Sequence, residues 1–88
     1  MAPTTIGKSS GPNINAPVVR LRVNVHEALS ATRGATSVPA QAALHGINRA
    51  HMHRIRTGER TAGLALAMKM ARDLGTTVEA LFEWTQAA

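Results

Sequence analysis

Cysteine is absent from the 88-residue chain, and with it go disulfide staples, iron–sulfur clusters and thiol chemistry. Such usage fits a reducing, cytoplasmic compartment. Aromatic residues are nearly as scarce, with Phe82 and Trp84 the whole supply. Strands draw on β-branched and aromatic side chains, so an apolar set dominated by Ala, Leu, Val, Ile and Met favours close-packed short helices over a β-sandwich. No apolar run approaches the roughly 18 residues that a membrane span needs, so no membrane partner is expected. The opening stretch "MAPTTIGKSSGPNINAP" lacks the apolar middle of a secretory signal. Rich in Pro, Gly, Ser, Thr and Asn, it reads as a disordered arm over residues 1–17.

Acid is the other shortage. Five Asp and Glu oppose ten Lys and Arg, for a net charge of +5, which points toward a polyanionic partner. The excess is uneven. Residues 1–35 and 36–60 each hold four basic residues against one acid, whereas residues 61–88 hold two against three. Arginine outnumbers lysine eight to two, a bias suited to bidentate contacts with phosphate or guanine. A GC-rich genome would leave the same bias.

The remaining pattern is that of one small domain, whose core supports about 5 kcal/mol of net stability. "VVRLRVN" alternates Val19, Leu21 and Val23 with Arg20, Arg22 and Asn24, the period of a short half-buried strand over residues 18–23. Asn24 with Glu27 forms a capping box for a first helix, whose inner line is Val25, Ala28, Leu29 and Thr32 and whose stop is Gly34. Ser37 caps a second helix with Pro39 in its first turn, and Gly46 ends it. Asn48 caps a third helix over residues 49–57, closed by Gly58. In the fourth, Leu64, Ala67, Met68, Ala71 and Leu74 form an apolar stripe that ends at Gly75. Thr76 and Glu79 then box the start of a last helix, "VEALFEW". The expectation is an all-α domain of five short helices covering residues 24–85.

On a helical wheel, Met52 and Ile55 of the third helix fall together and define its buried side. Arg49, Ala50, His53 and Thr57 fall on the other, with Arg54 and Arg56 at the edges. A solvated face would mix both signs of charge, yet no acid appears before Glu59. Small residues here let the backbone approach another surface closely. The preceding "HGIN" is too short for antiparallel packing and suits two helices crossing steeply. Helix, glycine turn and basic helix together describe a helix-turn-helix unit. Ala42 would sit at the crossing, with Ile47, Met52 and Ile55 as anchors.

The run "GINRAHMHRIRTGERTAGLALAMKMARDLGTTVEALF" and the upstream "EALSATRGAT" resemble the Cro/C1-type, lambda-repressor-like helix-turn-helix domains over about two thirds of the chain. The resemblance implies that Arg49, Ala50, His53 and Arg54 reach base edges in the major groove of double-stranded DNA. It also implies that Asn48, Thr57, Arg60 and the backbone at Ser37, Val38 and Pro39 hold phosphates. Three departures stand out. The turn after Gly34 is one residue longer than usual. Gln41 and His45 occupy positions that are usually apolar, which weakens the seat of the second helix. Many members pair an arginine of the first helix with a glutamate after the third helix's last core residue. Here those positions hold Ser30 and Arg56, which frees Arg56 for phosphate.

Rival readings are weaker. His51 and His53, two apart on a helix, point about 160° from each other and cannot share a zinc ion, and neither His26 nor His45 has an i+3 or i+4 partner to complete one. Glu27 beside His26 does not face it, so no general acid–base unit is expected, nor an enzyme, cofactor or small-molecule ligand. Met52, Met68 and Met70 read as core filler. A protein–protein module of antitoxin type on the same scaffold is the serious competitor. Trp84 is then either its sticky residue or a plug closing the core beneath the first helix. The expectation is a sequence-specific DNA-binding regulator of phage- or prophage-repressor type, acting by operator occlusion. A weak homodimer would use Val19, Leu21 and Val23, pairing as a strand across the two-fold axis, or Phe82 and Trp84. Alternatively Lys8, Arg20 and Arg22 serve an arm that wraps the duplex.

Overall fold

A computed structural model of the chain describes residues 17–86. The expected disordered arm therefore lies outside the described residues, apart from Pro17. Five helices and two strands follow in the order β1 (Pro17–Leu21), α1 (Val23–Ala31), α2 (Val38–His45), α3 (Arg49–Thr57), α4 (Leu64–Asp73), α5 (Val78–Leu81) and β2 (Phe82–Gln86). The architecture is mostly helical with a small sheet.

That sheet corrects the all-α expectation. β1 pairs antiparallel with β2, with Leu21 opposite Phe82 and Val19 opposite Trp84. The expected strand thus exists, but its partner is the chain's own last segment and not a second copy. The last segment itself was expected to be helical. Thr77, not Thr76, caps α5 by accepting from the Ala80 amide at 3.1 Å, and the helix ends after four residues, with Phe82 already extended. The reason is visible in "FEWT": Phe82 and Trp84 alternate with Glu83 and Thr85, the period of a strand, and aromatic and β-branched residues favour it. The first helix also starts earlier than Asn24. Arg22 occupies its N-cap position without a side-chain cap, because its amide continues the sheet by donating to the Leu81 carbonyl at 2.8 Å.

The other helix ends follow local chemistry. Ser37 accepts from Ala40 N at 3.2 Å, and Asn48 accepts from His51 N at 2.7 Å. Gly46 (φ 71) and Gly58 (φ 84) take the left-handed conformation that closes α2 and α3, a conformation that costs other residues energy. Against Gly58 packs the Arg20 guanidinium, which donates to the Thr57 carbonyl at 3.1 Å. β1 is thereby clipped to the end of α3.

The core gathers Leu21, Ala42, Met52, Ile55, Ala67, Met70, Ala71, Leu74, Leu81 and Phe82 between the sheet and the helices. Two expected stripes are rotated from where they were placed. In α4 the inner line is Ala67, Met70, Ala71 and Leu74, while Leu64 and Met68 face outward at 75% and 54% exposure. In α1 the fully buried residues are His26 and Ser30, while Ala28 and Thr32 are exposed. Polar residues can take that line only if their hydrogen bonds are met inside, and His45 supplies the bond to His26 Nε2.

Candidate nucleic-acid interface

α2 ends at Gly46, and α3 starts after Ile47 and Asn48. α3 is fixed from below by Met52 and Ile55, at 0% and 2% exposure, and by the half-buried Ile47. Its opposite face is therefore set outward, as the wheel requires. Arg49, Ala50, His53, Arg54 and Thr57 are all exposed. Among the described residues the ion pairs are Arg22–Glu83, His45–Asp73, Arg56–Glu27 and Lys69–Asp73, so Arg49, Arg54 and Arg60 have no carboxylate partner. Arg49, Ala50 and His53 line one shallow concavity together with Val38 at the start of α2.

Residues expected at phosphates are placed less uniformly. Ser37, Pro39 and Arg60 are exposed and Val38 is half-buried. The Val38 amide lies in the first turn of α2, where no intrahelical acceptor exists. Asn48 spends its side-chain oxygen on the cap, which leaves its amide group free to donate. Thr57 is committed locally, since its hydroxyl donates to the Arg54 carbonyl at 3.2 Å and accepts from Glu59 N at 3.3 Å.

Arg56 corrects the expectation that it is free. Its Nη1 donates to Glu27 Oε1 at 2.6 Å and to Gln41 Oε1 at 3.1 Å, tying α3 to α1 and α2. The arginine of this link sits on α3 and the carboxylate on α1. The guanidinium's hydrogen bond and charge hold the Glu27 carboxyl below the usual carboxylate range. Gln41, fully buried, completes its bonding by donating to the Ala35 carbonyl at 3.4 Å.

Behind α2 lies a second polar link that sequence reasoning missed. His45 Nδ1 donates to Asp73 Oδ2 at 2.9 Å, and its Nε2 lies 2.9 Å from His26 Nε2, with Ser30 Oγ at 3.5 Å from the latter. The chain of bonds joins α1, α2 and α4. Whichever ring donates across the shared bond, His26 Nδ1 is left buried without a partner. Burial first, then the charges of His45 and Arg56, lower the His26 pKa from 6.5 to about 4, against an opposing pull from Glu27. For Asp73 burial acts upward, but the hydrogen bonds and charges of His45 and Lys69 outweigh it and hold the carboxyl below its usual range. These links rebuild with polar contacts the seat of α2 that Gln41 and His45 were expected to weaken.

The proposed dimer residues divide. Leu21 and Phe82 are buried in the chain's own core at 7% and 5% exposure, and Val19 and Val23 pack against it. Contact with a second copy is closed to Leu21 and Phe82 in this fold, and the loss of accessible apolar surface leaves Trp84, at 63%, as the exposed member of the set. Among the described residues no group of three or more His, Asp or Glu is arranged to hold a metal ion. Compared with protein-family models, curated proteins and solved structures, the chain matches none of them.

Proposed function

We propose that the protein is a sequence-specific double-stranded DNA-binding regulator built on a lambda-repressor-like helix-turn-helix, with α2 and α3 as the motif and α3 as the recognition helix. The observation that carries this reading is the outer face of α3. Arg49 and Arg54, without carboxylate partners among the described residues, flank His53 and the small Ala50 on a helix whose other side is anchored by Met52 and Ile55. Such cations on a helix anchored from below suit contacts to guanine edges, while Arg60, Asn48 and the Val38 amide in the first turn of α2 suit phosphate. Arg56 holds the helix in place. The regulator acts by occlusion, covering an operator so that polymerase cannot engage it.

The test is selection of bound duplexes from a random library, followed by titration of the winner with salt. A shared sequence and an affinity that falls steeply with log salt are expected; enrichment of no sequence, or salt-independent binding, refutes the reading. A second reading, a protein-binding module on the same scaffold, draws on the exposure of Trp84, Leu64 and Met68. It requires a partner that quenches or shifts Trp84 fluorescence.

A further inference from the structure

The hollow between the start of α2 and the outer face of α3 is lined by Val38, Arg49, Ala50 and His53. A surface that only held phosphates would line such a hollow with donors. This one is lined by two aliphatic side chains, the β-branched Val38 and the methyl of Ala50, together with Arg49 and His53. No carboxylate lines it.

Resting on the DNA-binding reading, we propose that this hollow receives the C5-methyl group of a pyrimidine in the major groove. The major-groove edges of all four bases carry donors and acceptors, and the C5-methyl is the apolar group that projects from them into the groove. Pressing Val38 and Ala50 against any other base edge strips water from an acceptor or donor and returns no hydrogen bond, which is a cost. Against a methyl group, apolar surface is removed from water on both sides. Ala50 is small enough to let the α3 backbone come close, and Val38 is stiff at χ1 and keeps its shape. Arg49, which also lines the hollow and has no carboxylate partner among the described residues, then reads a neighbouring guanine, so the favoured step is a C5-methylated pyrimidine next to guanine. Thymine and 5-methylcytosine carry the same group in the same place. The first makes the hollow a plain sequence reader; the second makes binding depend on DNA methylation.

The experiment uses the full chain and the duplex it selects, with binding followed by fluorescence anisotropy at fixed salt. Each thymine in turn is replaced by uracil, which removes the methyl and nothing else, and each cytosine in turn is methylated at C5. Uracil at one position is expected to weaken binding about fourfold, the worth of one buried methyl-sized group. If the reader position is a cytosine, methylation there tightens binding about fourfold instead. Val38→Asn, which replaces the aliphatic side chain with a polar one of similar size, abolishes the methyl effect and leaves the salt slope unchanged. Sequence-specific, salt-dependent binding that no uracil and no 5-methylcytosine alters overturns the hollow's role and leaves the DNA-binding reading standing. Failure to select any duplex overturns both.

Discussion

Replacing Arg56 with alanine removes one guanidinium that serves two unequal partners. Glu27 is largely in water, its side chain 48% exposed, and an ion pair of that kind contributes about 0.2–1 kcal/mol. Gln41 is fully buried, and its Oε1 accepts from Arg56. Leaving such an acceptor unpaired costs about 1–3 kcal/mol. Arg56→Ala should therefore cost about 2–3 kcal/mol, whereas Glu27→Ala, which leaves the Arg56–Gln41 bond in place, should cost less than about 1 kcal/mol. In a domain of this size about 1 kcal/mol shifts the melting temperature by roughly 4–8 °C, so the two variants separate clearly. Urea denaturation followed by circular dichroism at several pH values near neutrality measures both. A second step isolates the mechanism. Gln41→Met removes the orphaned acceptor together with the bond to the Ala35 carbonyl. Added to Arg56→Ala it should therefore cost clearly less than it does alone, where it leaves Arg56 without its buried partner. Equal losses for Glu27→Ala and Arg56→Ala, or strictly additive losses in the double variant, would show that the exposed ion pair and not the buried amide carries the link.

Two further outcomes concern stability. His26 is held neutral by burial, with a pKa of about 4 in the folded chain against about 6.5 unfolded. Its contribution is fully present above pH 6.5 and is lost as pH falls toward 4, because the unfolded chain binds the proton first. Stability should drop between pH 6.5 and 4.5 with a slope approaching one proton, and His26→Leu should flatten that slope. The lowered carboxyls of Asp73 and Glu27 act in the same direction but below the usual carboxylate range. An unchanged slope in His26→Leu refutes the assignment. Leu21→Ala should cost about 2–4 kcal/mol, as a core deletion, while Trp84→Ala, at a site 63% exposed, should cost less than about 1 kcal/mol. Comparable losses would mean that Trp84 is covered in solution.

What was legible in the chain was what is decided within a few residues. Ser37 and Asn48 cap because a short side-chain oxygen reaches an amide three positions on, and Gly46 and Gly58 stop helices because the left-handed turn excludes a Cβ. The wheel of α3 held for the same reason, with Met52 and Ile55 inward. Errors arose where a distant partner decides. "FEWT" becomes a strand because β1 lies beside it, and a helix continued too far from its capping box hides its alternation. His26 and Ser30 look like surface residues until His45 arrives from 19 positions away. Leu64 and Met68 fit the apolar stripe of α4 by spacing, yet nothing in the fold covers them. At Ser30 the partner expected of Arg56 is missing, but Glu27, one turn nearer the start of α1, meets it.

The outer face of α3 is tested most directly by measuring the affinity of Arg49→Ala and Arg54→Ala for the selected duplex and for random duplexes across a salt series, with Arg60→Ala alongside. For each of the first two, a loss of about 1–3 kcal/mol on the selected duplex, with preference relaxed at one base pair and little change on random DNA, is the expected result. Arg60→Ala should weaken all duplexes alike and reduce the salt slope by about one. Equal losses on selected and random DNA for Arg49→Ala and Arg54→Ala would contradict the assignment of α3 as the element that reads bases.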